Sequence, residues 1–229
     1  MRLDRYLVSA GYFTTRQKAK EAVKRGFVRI NGQIVRKPSK DVKGDEIIDI
    51  LCEERPRGYW KLKELDGIFG LLSKNDVVLD VGSSAGGFLM YSAEKCKRVV
   101  GIEVSEVFRE QINEIVSRFK NAEVIFEDVF KIDPKKLPEF NVMLVDLTLE
   151  PEDSFKAMSR LLCRMKEGGR ILFVVKGMKL DYESAEKFLR EIQEVQKQTC
   201  KSCASEFCRE LRLEGVAVLD KNETYLLLE

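Results

Sequence analysis

Histidine is absent from the 229 residues, so no imidazole can act as a general base anywhere in this chain. No apolar run reaches about eighteen residues, and no membrane span is expected. The opening Met1-Arg2-Leu3-Asp4-Arg5 lacks the apolar core of a secretory signal, which reads as a cytoplasmic protein. In that compartment the six cysteines need not pair. Cys200-x2-Cys203-x4-Cys208 offers three thiolates, no histidine and only a distant cysteine as a fourth ligand, so free thiols are expected and no metal. Net charge is also scarce, at +2, but it is unevenly placed. Residues 1–50 carry twelve basic and six acidic side chains, whereas residues 64–229 carry twenty-four and thirty. A basic amino-terminal segment on a mildly acidic body implies a nucleic-acid partner for the first fifty residues.

What the chain does have is organised around Val77-Val78-Leu79-Asp80-Val81-Gly82-Ser83-Ser84-Ala85-Gly86-Gly87-Phe88. Five residues, four of them apolar, run into a glycine turn and then a helix-compatible segment, as a buried parallel strand feeding a ligand loop would. About twenty residues on, the apolar stretch Val99 to Ile102 ends in Glu103, a carboxylate placed to accept both hydroxyls of a ribose. The order Asp80-x-Gly82-x3-Gly86-Gly87 is not the G-x-G-x-x-G that seats a pyrophosphate on a helix amino end. An acid two residues before the first glycine suits a ligand with a cationic amino-acid end and no phosphate, such as S-adenosylmethionine. The stretch resembles the Rossmann-like methyltransferases, above all the FtsJ-type ribose 2′-O-methyltransferases and their TlyA-like relatives, although Ser84-Ala85 replace a Ser-Thr pair. That resemblance implies cofactor contacts from Asp80, Gly82, Ser83, Ser84, Gly86, Gly87, Phe88, Glu103, Asp128, Val129 and Asp146.

Before this stretch, residues 2–10 and 15–25 read as helices ended by Gly11 and Gly26, with Thr14 or Thr15 as a cap for the second. Residues 27–35 alternate around Asn31-Gly32, a hairpin signal, and Ile47 to Leu51 reads as a last short strand. Arg2-Leu3-Asp4, Arg16-x2-Ala19, Gly26-x-Val28-x2-Asn31-Gly32 and Val42-x-Gly44-Asp45-x-Ile47 make the segment similar to the small α+β RNA-binding domain named after ribosomal protein S4. The resemblance implies that Arg2, Arg5, Arg16, Lys18, Lys20, Lys24 and Arg25 meet RNA phosphates, which gives affinity more than sequence choice. Cys52 to Gly58 has no periodicity and contains Pro56; domains of residues 1–51 and 59–229 joined by a linker over 52–58 are expected.

Residues 59–72 read as a helix leading into the strand at 77–81, and beyond Glu103 helices (106–119, 151–166 and 182–196) alternate with strands (123–126, 141–146 and 171–176), with Gly168-Gly169 closing the helix over 151–166. The pattern predicts an α/β, Rossmann-like fold, a mostly parallel sheet that ends in a hairpin of 215–219 and 224–228. Gly82, Glu103, Asp128, Asp146 and Lys176 fall at or just past strand carboxyl ends, where open α/β sheets bind ligands. Glu223 opens a strand running the other way and returns to the same edge. Lys61, Asp146, Lys176 and Glu223 match the Lys-Asp-Lys-Glu tetrad of the FtsJ-type family, which implies methyl transfer to a ribose hydroxyl. The second cation Lys61 would lower the Lys176 pKa and let it act as base while Asp146 and Glu223 pull the other way, so the sequence leaves the net shift open; the two acids would orient the lysines.

Leu147-Thr148-Leu149 and Gly177-Met178 depart from the family's loops, which bear on target choice. The Asn/Asp-Pro-Pro-Tyr/Phe motif of N-methyltransferases is absent. The expectation is an S-adenosylmethionine-dependent ribose 2′-O-methyltransferase acting on RNA, with ribosomal RNA or ribosomal subunits as the partner the family implies. The alternative is a ribosome-assembly factor that keeps the fold without catalysis. Tyr59 and Trp60 could stack on a base or pack between elements.

Overall fold

In the amino-terminal unit, Met1–Arg57, two helices pack on a small sheet. Helix α1 (Leu3–Ser9) and helix α2 (Arg16–Arg25) bury Leu3, Leu7, Ala19 and Val23. Thr15 accepts a hydrogen bond from Lys18 N and caps α2, and Gly26 ends it with φ +80°. Strands β1 (Val28–Ile30), β2 (Gln33–Ile34) and β3 (Ile48–Ile50) form an antiparallel sheet in the order β2-β1-β3. Asn31 and Gly32 both take positive φ between β1 and β2, as the Asn-Gly pair requires.

The computed structural model describes residues 1–51, 55–200, 210–220 and 222–229; Cys203 and Cys208 lie outside these. Among the described residues no helix is long and apolar enough to cross a membrane.

The second unit, Gly58–Glu229, is a seven-stranded sheet between helices. Its elements are α3 (Arg57–Phe69), β4 (Val77–Val81), α4 (Gly87–Lys95), β5 (Arg98–Glu103), α5 (Arg109–Arg118), β6 (Ala122–Phe126), β7 (Phe140–Val145), α6 (Pro151–Leu161), β8 (Met165–Lys176), α7 (Tyr182–Cys200), β9 (Leu213–Asp220) and β10 (Glu223–Leu228). Strand order is β6-β5-β4-β7-β8-β10-β9. Neighbouring pairs from β6 to β8 are parallel, and β10 runs antiparallel to both β8 and β9. The strands are apolar on both faces because each face has its own core. One holds Leu62, Phe88, Leu89 and Ile112 from α3, α4 and α5; the other holds Phe155, Met158, Ala185 and Leu189 from α6 and α7.

Several boundaries differ from the sequence pattern. Helix α3 starts two residues early and ends at Phe69, since Gly70 takes φ +61°. The helix expected over 106–119 begins as a 3-10 turn, Glu106–Phe108. The larger change lies at Gly168-Gly169, expected to close a helix but found inside β8, which already starts at Met165. The β7–β8 register shifts between Phe140 and Val142, and a Cβ on Gly169 would sit 2.6 Å from Met165 Cε. Glycine in a strand here marks an irregular pairing covered by a side chain, not a turn.

Candidate active site

Strands β4, β5, β6, β7 and β8 end along one edge, so Gly82, Glu103, Asp128, Asp146 and Lys176 emerge there together. Strand β10 enters the sheet at the same edge: Glu223 is the register partner of Lys176. Helix α3 adds Lys61. Its Nζ lies 3.0 Å from Asp146 Oδ2 and 3.0 Å from Glu223 Oε2, and Lys176 Nζ lies 2.9 Å from Asp146 Oδ1. The four side chains are 17% to 27% exposed, enough for a substrate to reach them and little enough to strengthen their fields.

Burial alone would ease loss of the Lys61 proton, but Asp146 and Glu223 outweigh it and raise the pKa, so Lys61 stays an ammonium. Asp146 is likewise pulled up by burial and pulled down further by Lys61 and Lys176, which leaves it a carboxylate below its ordinary range. The sequence pattern missed Tyr225, a fully buried residue whose hydroxyl donates to Glu223 Oε2. The signal was there, two positions along β10 on the same face as Glu223.

The position of Lys61 depends on the glycine loop. A Cβ on Gly87 would lie 2.5 Å from Tyr59 N and 2.6 Å from Gly58 Cα, so the first turn of α3 presses directly on the start of α4. Gly82 takes φ +91°, and a Cβ there would lie 2.9 Å from the Asp146 carbonyl oxygen. At Gly86, φ +77°, it would collide with Ile115 Cδ1. Phe88 is buried, its ring 5.9 Å from Lys61 Nζ. Close packing and positive φ therefore account for these three glycines without a ligand, and Phe88 is buried beside them.

Packing does not account for Asp80. Its side chain is fully buried and, among the described residues, neither carboxylate oxygen has a hydrogen-bond partner. Burial pushes its pKa up to about 7, against the pull of Ser83 and with help from the charges on Asp146 and Glu103. Glu103, by contrast, is held in place: Oε2 accepts from Ser84 N and Oε1 from Ser105 N, each at 2.7 Å. Each oxygen keeps a second lone pair for a ligand. Asp128 Oδ1 accepts from Phe130 N at 2.9 Å, and Val129 beside it is buried. Ser83 is buried, while Ser84 holds φ +49° at the loop's crest. Tyr59 is buried and donates to Glu94, which makes it a packing residue; Trp60, half-buried, lies edge-on to it.

In the amino-terminal unit, Arg2 and Arg16 converge on Asp4: Arg2 Nε lies 3.1 Å from Oδ1 and Arg16 Nε 2.9 Å from Oδ2. Arg25 pairs with Glu21 at 3.2 Å, and Lys18 Nζ donates to Thr14 Oγ1 at 3.1 Å. Arg5, Lys20 and Lys24 make no ion pair among the described residues.

Residues 1–48 match the S4 domain family, and residues 55–214 match the FtsJ-like methyltransferase family. The chain is 27% identical over 239 residues to "Hemolysin A" of Brachyspira hyodysenteriae, a match covering 82% of this chain and 100% of that protein. A shorter match, 36% over 76 residues, joins 33% of this chain to 28% of the "Probable ribosomal RNA small subunit methyltransferase A" of Methanococcus maripaludis. Among solved structures, Aeropyrum pernix fibrillarin with natively bound S-adenosyl-L-methionine shares the fold, with a TM-score of 0.59 at 18% identity over 82% of this chain and 80% of that one. With both family matches in register with the two units of the fold, the chain belongs to the FtsJ-like methyltransferase family and carries an S4 domain at its amino end.

Proposed function

We propose that this protein transfers a methyl group from S-adenosylmethionine to a ribose 2′-hydroxyl of RNA, with ribosomal RNA as the substrate. In this reading residues 1–51 hold the RNA, residues 52–58 link, and residues 59–229 carry the chemistry. The observation that carries it is the convergence of Lys61, Asp146, Lys176 and Glu223 within 3.0 Å contacts beside the glycine loop. Family membership, the named rRNA methyltransferase relative and the cofactor-bound fold relative support it.

The residues present fit the cofactor. A buried carboxylate with no partner among the described residues, Asp80, suits a cationic amino-acid end, and Glu103 has lone pairs left for a ribose diol. Gly82, Ser83, Ser84, Gly86 and Gly87 shape the loop between them, Phe88 is buried at its end, and Asp128 with Val129 would flank the base. Once bound, S-adenosylmethionine supplies an electrophilic methyl group on a cationic sulfur. The chain's own task is then to align a ribose hydroxyl and take its proton. Lys61, held as an ammonium by two carboxylates, is unsuited to be the base. Lys176 Nζ pairs with Asp146 alone among the described residues; once it has given its own proton to solvent, the neutral amine receives the hydroxyl proton, while Asp146 fixes both lysines. On the RNA side, Arg2, Arg5, Arg16, Lys18, Lys20, Lys24 and Arg25 supply phosphate contacts.

Incubation of the protein with methyl-labelled cofactor and total RNA, followed by alkaline digestion, tests the reading. Label in alkali-stable dinucleotides supports ribose methylation. Label in mononucleotides would mean base methylation, and no transfer would favour a non-catalytic assembly factor.

A further inference from the structure

The amino ends of the strands form a second edge, opposite the tetrad. Three turns lead into β4, β5 and β6, which are neighbours in the sheet, and each turn carries a lysine: Lys74, Lys97 and Lys120. Backbone hydrogen bonds fix the turns to one another. Asp76 O accepts from Lys97 N at 3.0 Å and from Arg98 N at 3.2 Å, and Asn121 O accepts from Val99 N at 2.9 Å. The three lysines are exposed and make no ion pair among the described residues.

The acids around these three turns are already used, while exposed Glu139 lies farther along, ahead of β7. Asp76 is buried and satisfied by Ser73 N, Asn141 Nδ2 and Arg170 Nη2. Asp66 is buried against Lys95 and Tyr91, and Glu123 pairs with Arg98. A uniformly solvated surface would scatter its charges, yet here uncompensated cations gather on a body whose residues 64–229 are net acidic. We propose that this edge is a second RNA contact, gripping phosphates of the substrate backbone away from the point of methylation. Strand β4, five residues long, separates the two edges by roughly 17 Å at the usual rise per residue. The inference rests on the RNA methyltransferase reading. Exposed lysines on turns with a fixed backbone suit phosphates, because each neutralised phosphate releases a counterion.

The test is the triple variant Lys74→Gln, Lys97→Gln, Lys120→Gln of the full chain, with binding to purified ribosomal RNA measured across a salt series. The log–log slope should become shallower by about two to three, and cofactor affinity should not change. A control variant, Lys156→Gln, Lys187→Gln, Lys197→Gln, removes the same charge from helices α6 and α7 and should leave the slope close to wild type. An unchanged slope in the first variant, or an equal loss in both, overturns the proposal. So would loss of binding to anionic phospholipid vesicles with RNA binding intact, which would assign the edge to a membrane surface. Methyl transfer is scored separately: a lost slope without any transfer upholds this contact and sinks the enzyme reading, whereas transfer with an unchanged slope does the reverse.

Discussion

Asp4 and Asp80 are both fully buried aspartates, and they are opposites. Two arginines hydrogen-bond Asp4, chiefly Arg2 and then Arg16, and against the cost of burial they hold its pKa down at about 2. Asp80 has no hydrogen-bond partner among the described residues, and burial pushes it up to about 7. The first carboxylate ties α1 to α2 and is complete within the unit. The second carries an unmet demand for positive charge, and the unmet demand marks the binding site.

Substitution by asparagine should expose the difference. Folded Asp80 has a raised pKa, so the cost of its charge is absent below about pH 4, grows as pH rises, and is complete above about pH 7. Without cofactor, Asp80→Asn should therefore match wild type near pH 4 and exceed its stability at pH 8 by as much as about 4 kcal/mol, since each tenfold change in acidity on folding corresponds to about 1.4 kcal/mol. Thermal melts across pH 4 to 8 would check this, and parallel curves would break the contrast.

Asp4 has the opposite sign. Its pKa is depressed, so its contribution is present above about pH 4 and lost as pH falls through about 2. Asp4→Asn should destabilise the amino-terminal unit by about 2 kcal/mol at neutral pH, through lost charged hydrogen bonds. Hydrogen exchange of amides in residues 1–51 would read the loss, with the residues around Asp80 unaffected.

A smaller effect separates the two carboxylates of the site itself. Glu103 already has backbone partners, so Glu103→Ala should weaken S-adenosylmethionine binding by about 1.5–3 kcal/mol, partly through the loosened Ser84 turn. Calorimetry showing unchanged affinity would remove Glu103 from the site. Smallest should be the effect of deleting residues 1–51 on cofactor affinity, expected to be nil, although the same deletion should weaken RNA binding and flatten its salt dependence.

The alternation of apolar runs with glycine turns made most of the sheet legible in the sequence, including the antiparallel return that brings Glu223 beside Lys176. What stayed hidden depends on three-dimensional neighbours. Gly168-Gly169 reads as a turn until Met165 is seen to cover it. The loop glycines read as ligand contacts, yet at Gly86 and Gly87 the closest neighbours are Ile115, Gly58 and Tyr59. Arg2 and Arg16 read as RNA contacts, and the structure gives them a second task at Asp4. No pattern of residue types reveals that Asp80 is partnerless, because that follows from what fails to reach it.

If the carboxyl edge performs proton-coupled methyl transfer, Lys176→Ala should stop the chemistry without disturbing binding. Single-turnover transfer to ribosomal RNA should fall by about 10²–10⁴-fold, while cofactor and RNA affinities stay within error of wild type. Full transfer activity in Lys176→Ala would contradict the account.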